Sequence, residues 1–284
     1  MTKSVIPMNN SLDYLWSIRD QRLDDWFLMS SPWPTVCICL AYVLFVTVLG
    51  PRLMKDREAL DLKGTIMAYN LFQVFLSAYV VYESWMAGWG THYSWICQDV
   101  ERDPDPNGSG MRMARITWIY FLSKFLEFCD TFFFLARKKF AHVSALQVTH
   151  HGIMPIFGYI MTRWYPGGHE SFGGFLNSIV HVIMYGYYFC AALGPQFQKY
   201  LWWKKYLTTF QMFQFMVLFL KSQVVIFGIA ECGYPWQFSL FCSSIMVLFL
   251  ILFAGFYQQE YQAKQKRKLL GGQEKRHLNA TKLD

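Results

Sequence analysis

The amino-acid sequence predicts an all-α polytopic membrane protein with seven transmembrane helices. Three observations favour this fold class. Hydrophobic residues make up 54% of the 284-residue chain and charged residues only 16%, a balance that is foreign to a soluble domain. Long intervals of the chain contain no charged residue at all. Those intervals are apolar throughout and lack the two-residue alternation of a barrel strand, so we expect them to be helices.

The seven spans follow in chain order. Five uncharged intervals are each long enough to cross roughly 30 Å of hydrocarbon at about 1.5 Å per helical residue. They are 26–51, 64–82, 140–162, 171–198 and 232–259. Two further spans carry charges inside an apolar segment, namely 116–136, with Lys124, Glu127 and Asp130, and 206–229, with Lys221.

The distribution of Lys and Arg predicts the orientation of these spans. Most of the basic residues lie in the loops after the first, third and fifth spans and in the tail, which we therefore place in the cytosol. The expected organisation is a lumenal N-terminal segment, 1–32, a seven-helix membrane catalytic domain, 33–257, and a basic cytosolic tail, 258–284.

This orientation predicts two kinds of covalent modification. Asn9 and Asn107 begin asparagine sequons that would face the lumen, so both are candidates for glycosylation. Cys97 and Cys232 both fall in lumenal loops, whereas the other five cysteines lie within spans. In an oxidising lumen we expect these two to form a disulfide rather than remain free thiols.

Basic residues at the cytosolic rim have two interpretations. They set topology and contact anionic lipids, or they form the mouth of a site for a polyanionic substrate. The candidates for such a mouth are Arg137, Lys138, Lys139, Lys204 and Lys205. Nucleic acid is not an expected partner, because the chain offers neither a soluble module nor an aromatic and basic platform for it.

Three charged residues in the third span recur at every third position. At about 100° per residue, Lys124, Glu127 and Asp130 fall on one stripe of the helix, which must face protein or trapped water. Lys124 and Glu127 are either a structural ion pair or part of a functional site. Asp130 would then orient a histidine or pair with Arg137.

His150, His151 and His181 lie at membrane depth in two consecutive spans. A lone buried histidine is usually a hydrogen-bonded structural residue, but three on neighbouring helices indicate chemistry. The alternatives are catalysis by imidazole and metal ligation in a histidine-ligated oxidoreductase. Three histidines are too few for a di-iron centre, and adjacent helical residues diverge by about 100°, so we expect no metal.

Four ordered motifs resemble the signature boxes of the very-long-chain fatty acid elongases of animals. They are Lys124-x-x-Glu127-x-x-Asp130-Thr131, Gln147-x-x-His150-His151, His181-x-x-Met184-Tyr185-x-Tyr187-Tyr188 and Thr208-x-x-Gln211-x-x-Gln214. The resemblance covers roughly residues 25 to 260. One position departs from the family pattern, since members usually carry histidine where this chain has Gln147.

The resemblance implies a multi-pass condensing enzyme of the endoplasmic reticulum. Such an enzyme joins a long-chain acyl-CoA to malonyl-CoA, giving a 3-ketoacyl-CoA, carbon dioxide and coenzyme A, and its helices enclose a polar and apolar substrate tunnel. It binds no cofactor beyond its coenzyme A thioester substrates. Implied partners are membrane lipids, the ketoacyl reductase, dehydratase and enoyl reductase of the same cycle, and a second copy in a homo-oligomer.

The family boxes also imply roles for individual residues. His150 would carry the acyl group as an acyl-imidazole, with His151 and His181 as base or as stabilisers of the oxyanion and enolate. Gln147 would hydrogen-bond an imidazole or a thioester carbonyl. The candidate substrate-binding residues are Lys124, Glu127, Asp130, Gln147, Tyr187, Tyr188, Gln211, Gln214 and the five basic rim residues.

A seven-helix transporter or receptor with an intramembrane polar site is the non-enzymatic alternative. That class predicts internal repeats or broken helices. The two halves of the chain show no convincing similarity, and Gly and Pro cluster at the ends of spans, apart from Gly152 and Pro155. The residues therefore favour the enzyme.

Overall fold

The computed structural model describes residues 11–262, and every regular element in that part of the chain is a helix. A short helix, α1 (Ser11–Ser17), comes first. The longer elements, in chain order, are α2 (Trp33–Leu44), α3 (Gly50–Met54), α4 (Lys63–Ser84), α5 (Ser109–Leu126), α6 (Phe128–Ala136), α7 (Ala145–Trp164), α8 (Ser171–Leu193), the short α9 (Pro195–Gln198), α10 (Lys204–Ile226) and α11 (Trp236–Tyr257). Single π-helical segments, Phe45–Leu49 and Trp85–Trp89, join α2 to α3 and extend α4.

Five helical segments among the described residues are long and apolar enough to cross a membrane. They are Trp33–Met54, Lys63–Trp89, Ser171–Leu193, Lys204–Ile226 and Trp236–Tyr261. The all-α class is therefore confirmed, whereas the count of seven spans stays a prediction. The charged third span is divided at Glu127 into α5 and α6, and α7 carries three polar residues, Gln147, His150 and His151, near its start.

Local sequence fixes where α7 and α8 begin and end. Ser144 caps α7, because its hydroxyl oxygen accepts a hydrogen bond from the backbone nitrogen of Gln147 at 3.2 Å. This cap sets the helical register in which His150 and His151 follow within two turns. α8 ends at Leu193 and is followed by Gly194, whose φ of 133° suits glycine, and by Pro195.

The helices pack so that α7 lies inside the bundle. α4 runs along α8, α10 runs along α11, and α7 contacts both α2 and α5. Gly158 permits the close approach of α7 to α5, since a β-carbon there would lie 3.3 Å from the Phe121 ring. Such close backbone packing by small residues is a main source of helix association where lipid competes for apolar surface.

The loops on one side of the bundle are held by covalent and ionic links. A disulfide joins Cys97, between α4 and α5, to Cys232, between α10 and α11, with 5.9 Å between their α-carbons. The structure thus contains the expected disulfide. Asp20, which is buried, pairs with Arg22 at 2.7 Å and Arg102 at 3.1 Å, which ties the segment before α2 to the same loops.

Three predictions on the periphery stay untested. Asn107 is exposed in the loop before α5, but the structure does not test its glycosylation, and Asn9 lies outside the described residues. The basic tail beyond residue 262 also lies outside them. The division into 1–32, 33–257 and 258–284 remains an expectation, although α2 begins at Trp33 and α11 ends at Tyr257.

Candidate active site

The charged stripe of α5 and α6 faces α8 in a ladder of three polar contacts. Lys124 contacts Asn177, Glu127 contacts His181, and Asp130 contacts Tyr185. The three residues of α8 are spaced by four positions, so they share one helix face. The prediction that the stripe faces protein is confirmed, and the ladder brings Lys124, Glu127 and His181 together in the interior.

Lys124 and Glu127 form a buried ion pair. The Lys124 Nζ donates to Glu127 Oε1 at 2.6 Å and to Asn177 Oδ1 at 3.2 Å, and it lies 4.3 Å from the centroid of the Tyr120 ring. Tyr120 also donates its hydroxyl to Asn177 Oδ1 at 2.9 Å. Because the ammonium group is surrounded by acceptors and an aromatic face, it remains paired in a low-dielectric interior.

His181 connects this ion pair to the histidine cluster. Its Nδ1 lies 3.3 Å from Glu127 Oε1, and its side chain is buried. A carboxylate that accepts the Nδ1 proton leaves Nε2 with a lone pair, which is the tautomer a general base requires. The contact with Glu127 therefore indicates an imidazole protonated at Nδ1.

Asp130 makes a contact that differs from both of the contacts predicted from the sequence. Its Oδ2 accepts a hydrogen bond from the Tyr185 hydroxyl at 2.8 Å. It therefore neither orients a histidine nor pairs with Arg137, and both predictions are wrong. The physical reason is that the helix breaks at Glu127, and Asp130, in the first turn of α6, meets Tyr185 of α8, one turn beyond His181.

His150 and His151 lie side by side on α7 and point in different directions. Their ring centroids are 5.2 Å apart with planes nearly perpendicular, and the His150 ring centroid lies 5.0 Å from that of Phe249. His151 is buried and its Nδ1 has no hydrogen-bond partner among the described residues. Both imidazoles lie within electrostatic range of Glu127, Lys124 and His181, so the three histidines form one cluster.

Gln147 takes part in a hydrogen-bond chain that joins three helices. Its Nε2 donates to the Thr131 hydroxyl at 3.2 Å, and that hydroxyl lies 2.9 Å from the Tyr42 hydroxyl. The Tyr42 ring in turn lies 6.4 Å from the His151 ring. The Gln147 amide nitrogen thus bonds Thr131 and not an imidazole, while a contact with a thioester carbonyl stays a prediction.

The remaining polar candidates separate into inner and outer positions. Gln214 is buried and its Oε1 has no partner within residues 11–262, and Gln211 Nε2 lies 3.4 Å from the Met184 sulfur. Tyr187 packs on Trp203, and Tyr188 is partly exposed. Gln214 therefore belongs to the interior of the bundle, Gln211 and Tyr187 are half-buried, and Tyr188 lies at the surface.

An internal cavity extends from the histidine cluster. It has a volume of about 60 Å³, and His150 is part of its wall. Along α7 it is lined by Met154, Phe157 and Met161, with Phe215 of α10 and Met246 of α11 opposite. A cavity with walls of this kind suits a hydrocarbon chain whose reactive end lies at His150.

The basic rim residues have different surroundings. Lys139, Lys204 and Lys205 are exposed. The Lys138 Nζ instead donates to the backbone carbonyls of Lys55 at 3.0 Å and Arg57 at 2.9 Å, which orders the loop after α3. A mouth for polyanions at this rim, including Arg137, stays a prediction. Lys138 therefore stabilises the loop after α3.

Some residues of the site were absent from the sequence prediction. Asn177 and Tyr120 complete the shell around Lys124, and Asn177 also lines the cavity. Tyr42 supports the contact between α6 and α7 through Thr131, which closes the first motif but had no role assigned to it. The four-residue spacing of Asn177, His181 and Tyr185 was a usable signal, because it marks one polar face on an otherwise apolar helix. Among residues 11–262, no group of three His, Cys, Asp or Glu side chains is arranged to hold a metal ion.

The fold and the site define a helical membrane protein whose buried cluster of imidazoles, carboxylates and one ammonium group borders an apolar cavity. Residues 27–269 match the model of the ELO family, described as the GNS1/SUR4 family. The chain belongs to this family, that of the very long chain fatty acid elongases.

Three relatives illustrate the similarity. Very long chain fatty acid elongase 7 of Drosophila melanogaster is 46% identical over 85% of this chain and 73% of its own. Elongase 7 of Rattus norvegicus is 43% identical over 87% of each chain. Elongase 4 of Homo sapiens is 40% identical over 92% of this chain and 82% of its own.

Proposed function

We propose that this protein is a very-long-chain 3-oxoacyl-CoA synthase. It condenses a long-chain acyl-CoA with malonyl-CoA, which starts each round of chain elongation. The observation that carries the proposal is that His150 lines the apolar cavity and lies in the cluster that contains His151, His181 and the Lys124–Glu127 pair. A hydrocarbon chain and a nucleophile can therefore meet in a site shielded from water.

The first half-reaction transfers the acyl group to the protein. A ring nitrogen of neutral His150 attacks the thioester carbonyl, the carbon–sulfur bond breaks, and the imidazole proton passes to the coenzyme A thiolate. The product is an acyl-imidazole and free coenzyme A. His150 is half-buried and packs against Phe249, which limits the access of water to this reactive bond until the second substrate arrives.

The second half-reaction forms the carbon–carbon bond. Malonyl-CoA loses carbon dioxide, and the resulting enolate carbon attacks the acyl carbon. The bond to His150 breaks, its nitrogen takes up a proton that solvent supplies through His151 or His181, and a 3-ketoacyl-CoA two carbons longer is released. His151 and His181 stabilise the enolate and the oxyanion or act as base, and Glu127 holds the tautomer of His181.

We place the protein in the endoplasmic reticulum membrane as a multi-pass protein, with a lumenal N-terminus and a cytosolic C-terminus. The disulfide supports this orientation, because Cys97 and Cys232 lie in loops on the same side and require an oxidising compartment. Coenzyme A phosphates would then meet the basic rim at Lys139, Lys204 and Lys205. The reductases and dehydratase of the cycle, membrane lipids and a second copy are the proposed partners.

An assay of the purified protein tests this proposal. Labelled malonyl-CoA is supplied with acyl-CoAs of graded length, and chain-extended product is measured. We expect product with the unaltered protein, none with His150→Ala, and unchanged product with His92→Gln, an exposed histidine far from the cluster. Absence of product with every acyl length would contradict the proposal and favour a transporter or receptor.

A further inference from the structure

The apolar cavity that starts at His150 ends against a carboxyl group. Met154, Phe157 and Met161 line it in order along α7, a distance of roughly 16 Å from His150 at about 1.5 Å per residue. Glu170, the residue that precedes α8, lines the same cavity. A plain hydrocarbon chain makes no use of a carboxyl group at this depth, so Glu170 indicates a second kind of contact.

Only one of the two Glu170 carboxyl oxygens has a hydrogen-bond partner. Oε2 accepts from the Ser222 hydroxyl at 3.2 Å. Oε1 is buried and has no partner among residues 11–262. On α11, the fully buried Ser239 has a hydroxyl oxygen without a partner, and this side chain lies close enough to Glu170 to interact with it. The end of the cavity therefore holds an unpaired acceptor and an unpaired hydroxyl.

The neighbouring cation does not neutralise this carboxyl group directly. Lys221 adjoins Ser222 in sequence, but its Nζ donates to the Trp95 carbonyl oxygen at 2.7 Å. The same ammonium lies 5.1 Å from the ring centroids of both Trp89 and Phe172. Lys221 thus forms no ion pair with Glu170, although its charge acts on the carboxyl group, and Oε1 remains available to a donor.

A hydroxyl group at the end of the acyl chain satisfies both unpaired groups. Its hydrogen donates to Glu170 Oε1, and its oxygen accepts from the Ser239 hydroxyl. A terminal methyl group does neither and leaves a buried carboxyl oxygen without a partner, which is costly in an apolar interior. Sites built to hydrogen-bond a hydroxyl reject the analogue that lacks it far more strongly than an apolar pocket rejects an extra methylene.

We propose that this protein binds ω-hydroxyacyl-CoA substrates, and that Glu170, with Ser222 and Ser239, recognises the hydroxyl at the far end of the cavity. The proposal rests on the proposed condensing function, since it names the substrate class of that same site. Glu170 acts as a specificity determinant. It lies remote from His150 and takes no part in bond formation.

Matched pairs of acyl-CoAs test the proposal, each pair having one chain length and differing only in a terminal hydroxyl. At the length that brings the terminal carbon to Glu170, we expect kcat/KM to be at least tenfold higher for the hydroxylated member. Shorter pairs should show no difference. Glu170→Met should abolish the preference for the hydroxylated member, whereas Glu231→Met, on an exposed loop residue, should leave that preference and the turnover of plain chains unchanged.

Two results would overturn the inference. One is an active protein that elongates plain chains with no preference for the hydroxyl at any length, which needs no variant and so does not depend on the folding of Glu170→Met. The other is a preference that survives Glu170→Met. A protein that extends neither member of any pair would instead contradict the condensing function itself, so the two failures are distinguishable.

Discussion

At the residue scale, the function depends on Glu127, whose carboxylate contacts two partners, Lys124 and His181. One oxygen, Oε1, accepts from Lys124 at 2.6 Å and lies 3.3 Å from His181 Nδ1. The sequence left open whether Lys124 and Glu127 are only a structural ion pair. The contact with His181 gives Glu127 a positioning role that an ion pair alone would not require.

A double substitution separates these two roles. Glu127→Gln leaves the Lys124 ammonium buried without a counter-charge, so we expect a loss of about 3–5 kcal/mol in unfolding free energy and a loss of turnover. Adding Lys124→Met removes the unpaired charge and should restore much of the stability, measured by thermal unfolding in detergent. Turnover should remain at least about 100-fold low, because His181 is still unpositioned. Recovery of turnover in the double variant would mean that the pair is only structural.

Gln147 supports the cluster through Thr131. We expect Gln147→Ala and Thr131→Val each to lower kcat by roughly tenfold with little change in KM, because both break the chain that leads to Tyr42 and on to the His151 ring. Combining them should cause no further loss, since they act on one chain. Fully additive losses in the steady-state assay would show that Gln147 acts elsewhere, for example on a thioester carbonyl.

At the scale of elements, the ladder between α5, α6 and α8 was predictable only in part. The spacing of Lys124, Glu127 and Asp130 identified the polar stripe, since helix periodicity is local. The partner of Asp130 was not predictable, because neither glycine nor proline marks the break at Glu127 and tertiary packing decides the direction of α6. For the same reason Asn177 was missed, although its spacing from His181 and Tyr185 was visible in the sequence.

The carboxyl group of Glu170, the residue that precedes α8, should make the unfolding free energy depend on pH. Burial raises the pKa of its carboxyl group from 4.5 to about 7, while the neighbouring Ser239 and Ser222 hydroxyls and the Lys221 charge oppose that change. Because the pKa is higher in the folded protein than in the unfolded chain, the carboxyl group makes its full contribution to the unfolding free energy below pH about 4.5. That contribution is lost as the pH rises toward about 7 and the buried group ionises. Glu170→Gln should therefore gain up to about 3 kcal/mol relative to the unaltered protein between pH 5 and pH 8.

Thermal unfolding in detergent across this pH range measures the effect. His169, Tyr234 and Cys242 also lie near Glu170, and the pKa of His169 is lowered to about 4 by burial, so it stays neutral over the range tested. Glu231→Gln is the matched control because Glu231 is exposed. A stability difference that does not change with pH would contradict the buried carboxyl as its source.

At the scale of the whole molecule, composition alone predicted the helical membrane fold, since uncharged intervals report directly on burial in lipid. The number of spans is harder to predict, because functional polar residues in α5, α6 and α7 reduce the apolar character on which span counting relies. The Cys97–Cys232 disulfide was predictable from topology, as both residues fall in loops on one side. The cavity was not, because it depends on how six helices pack.

The disulfide closes a loop with a sequence separation of 135 residues, so its loss should destabilise the protein. The chain-entropy model gives a ceiling of about 5 kcal/mol, and the membrane lowers this by restricting the unfolded chain. Cys97→Ser and Cys232→Ser should lower the melting temperature equally, and the double variant no further. Cys37→Ser, an exposed cysteine on α2, should have no effect. Additive losses from the first two would show that they are not bonded to each other.

The central claim is that His150 carries the acyl group between the two half-reactions. The direct measurement is peptide mass spectrometry of protein incubated with acyl-CoA and no malonyl-CoA. We expect the mass of the acyl group on the peptide that contains His150, release of an equal amount of coenzyme A, and loss of the adduct when malonyl-CoA is added. An active protein that never becomes acylated, or one acylated at a residue other than His150, would contradict the account.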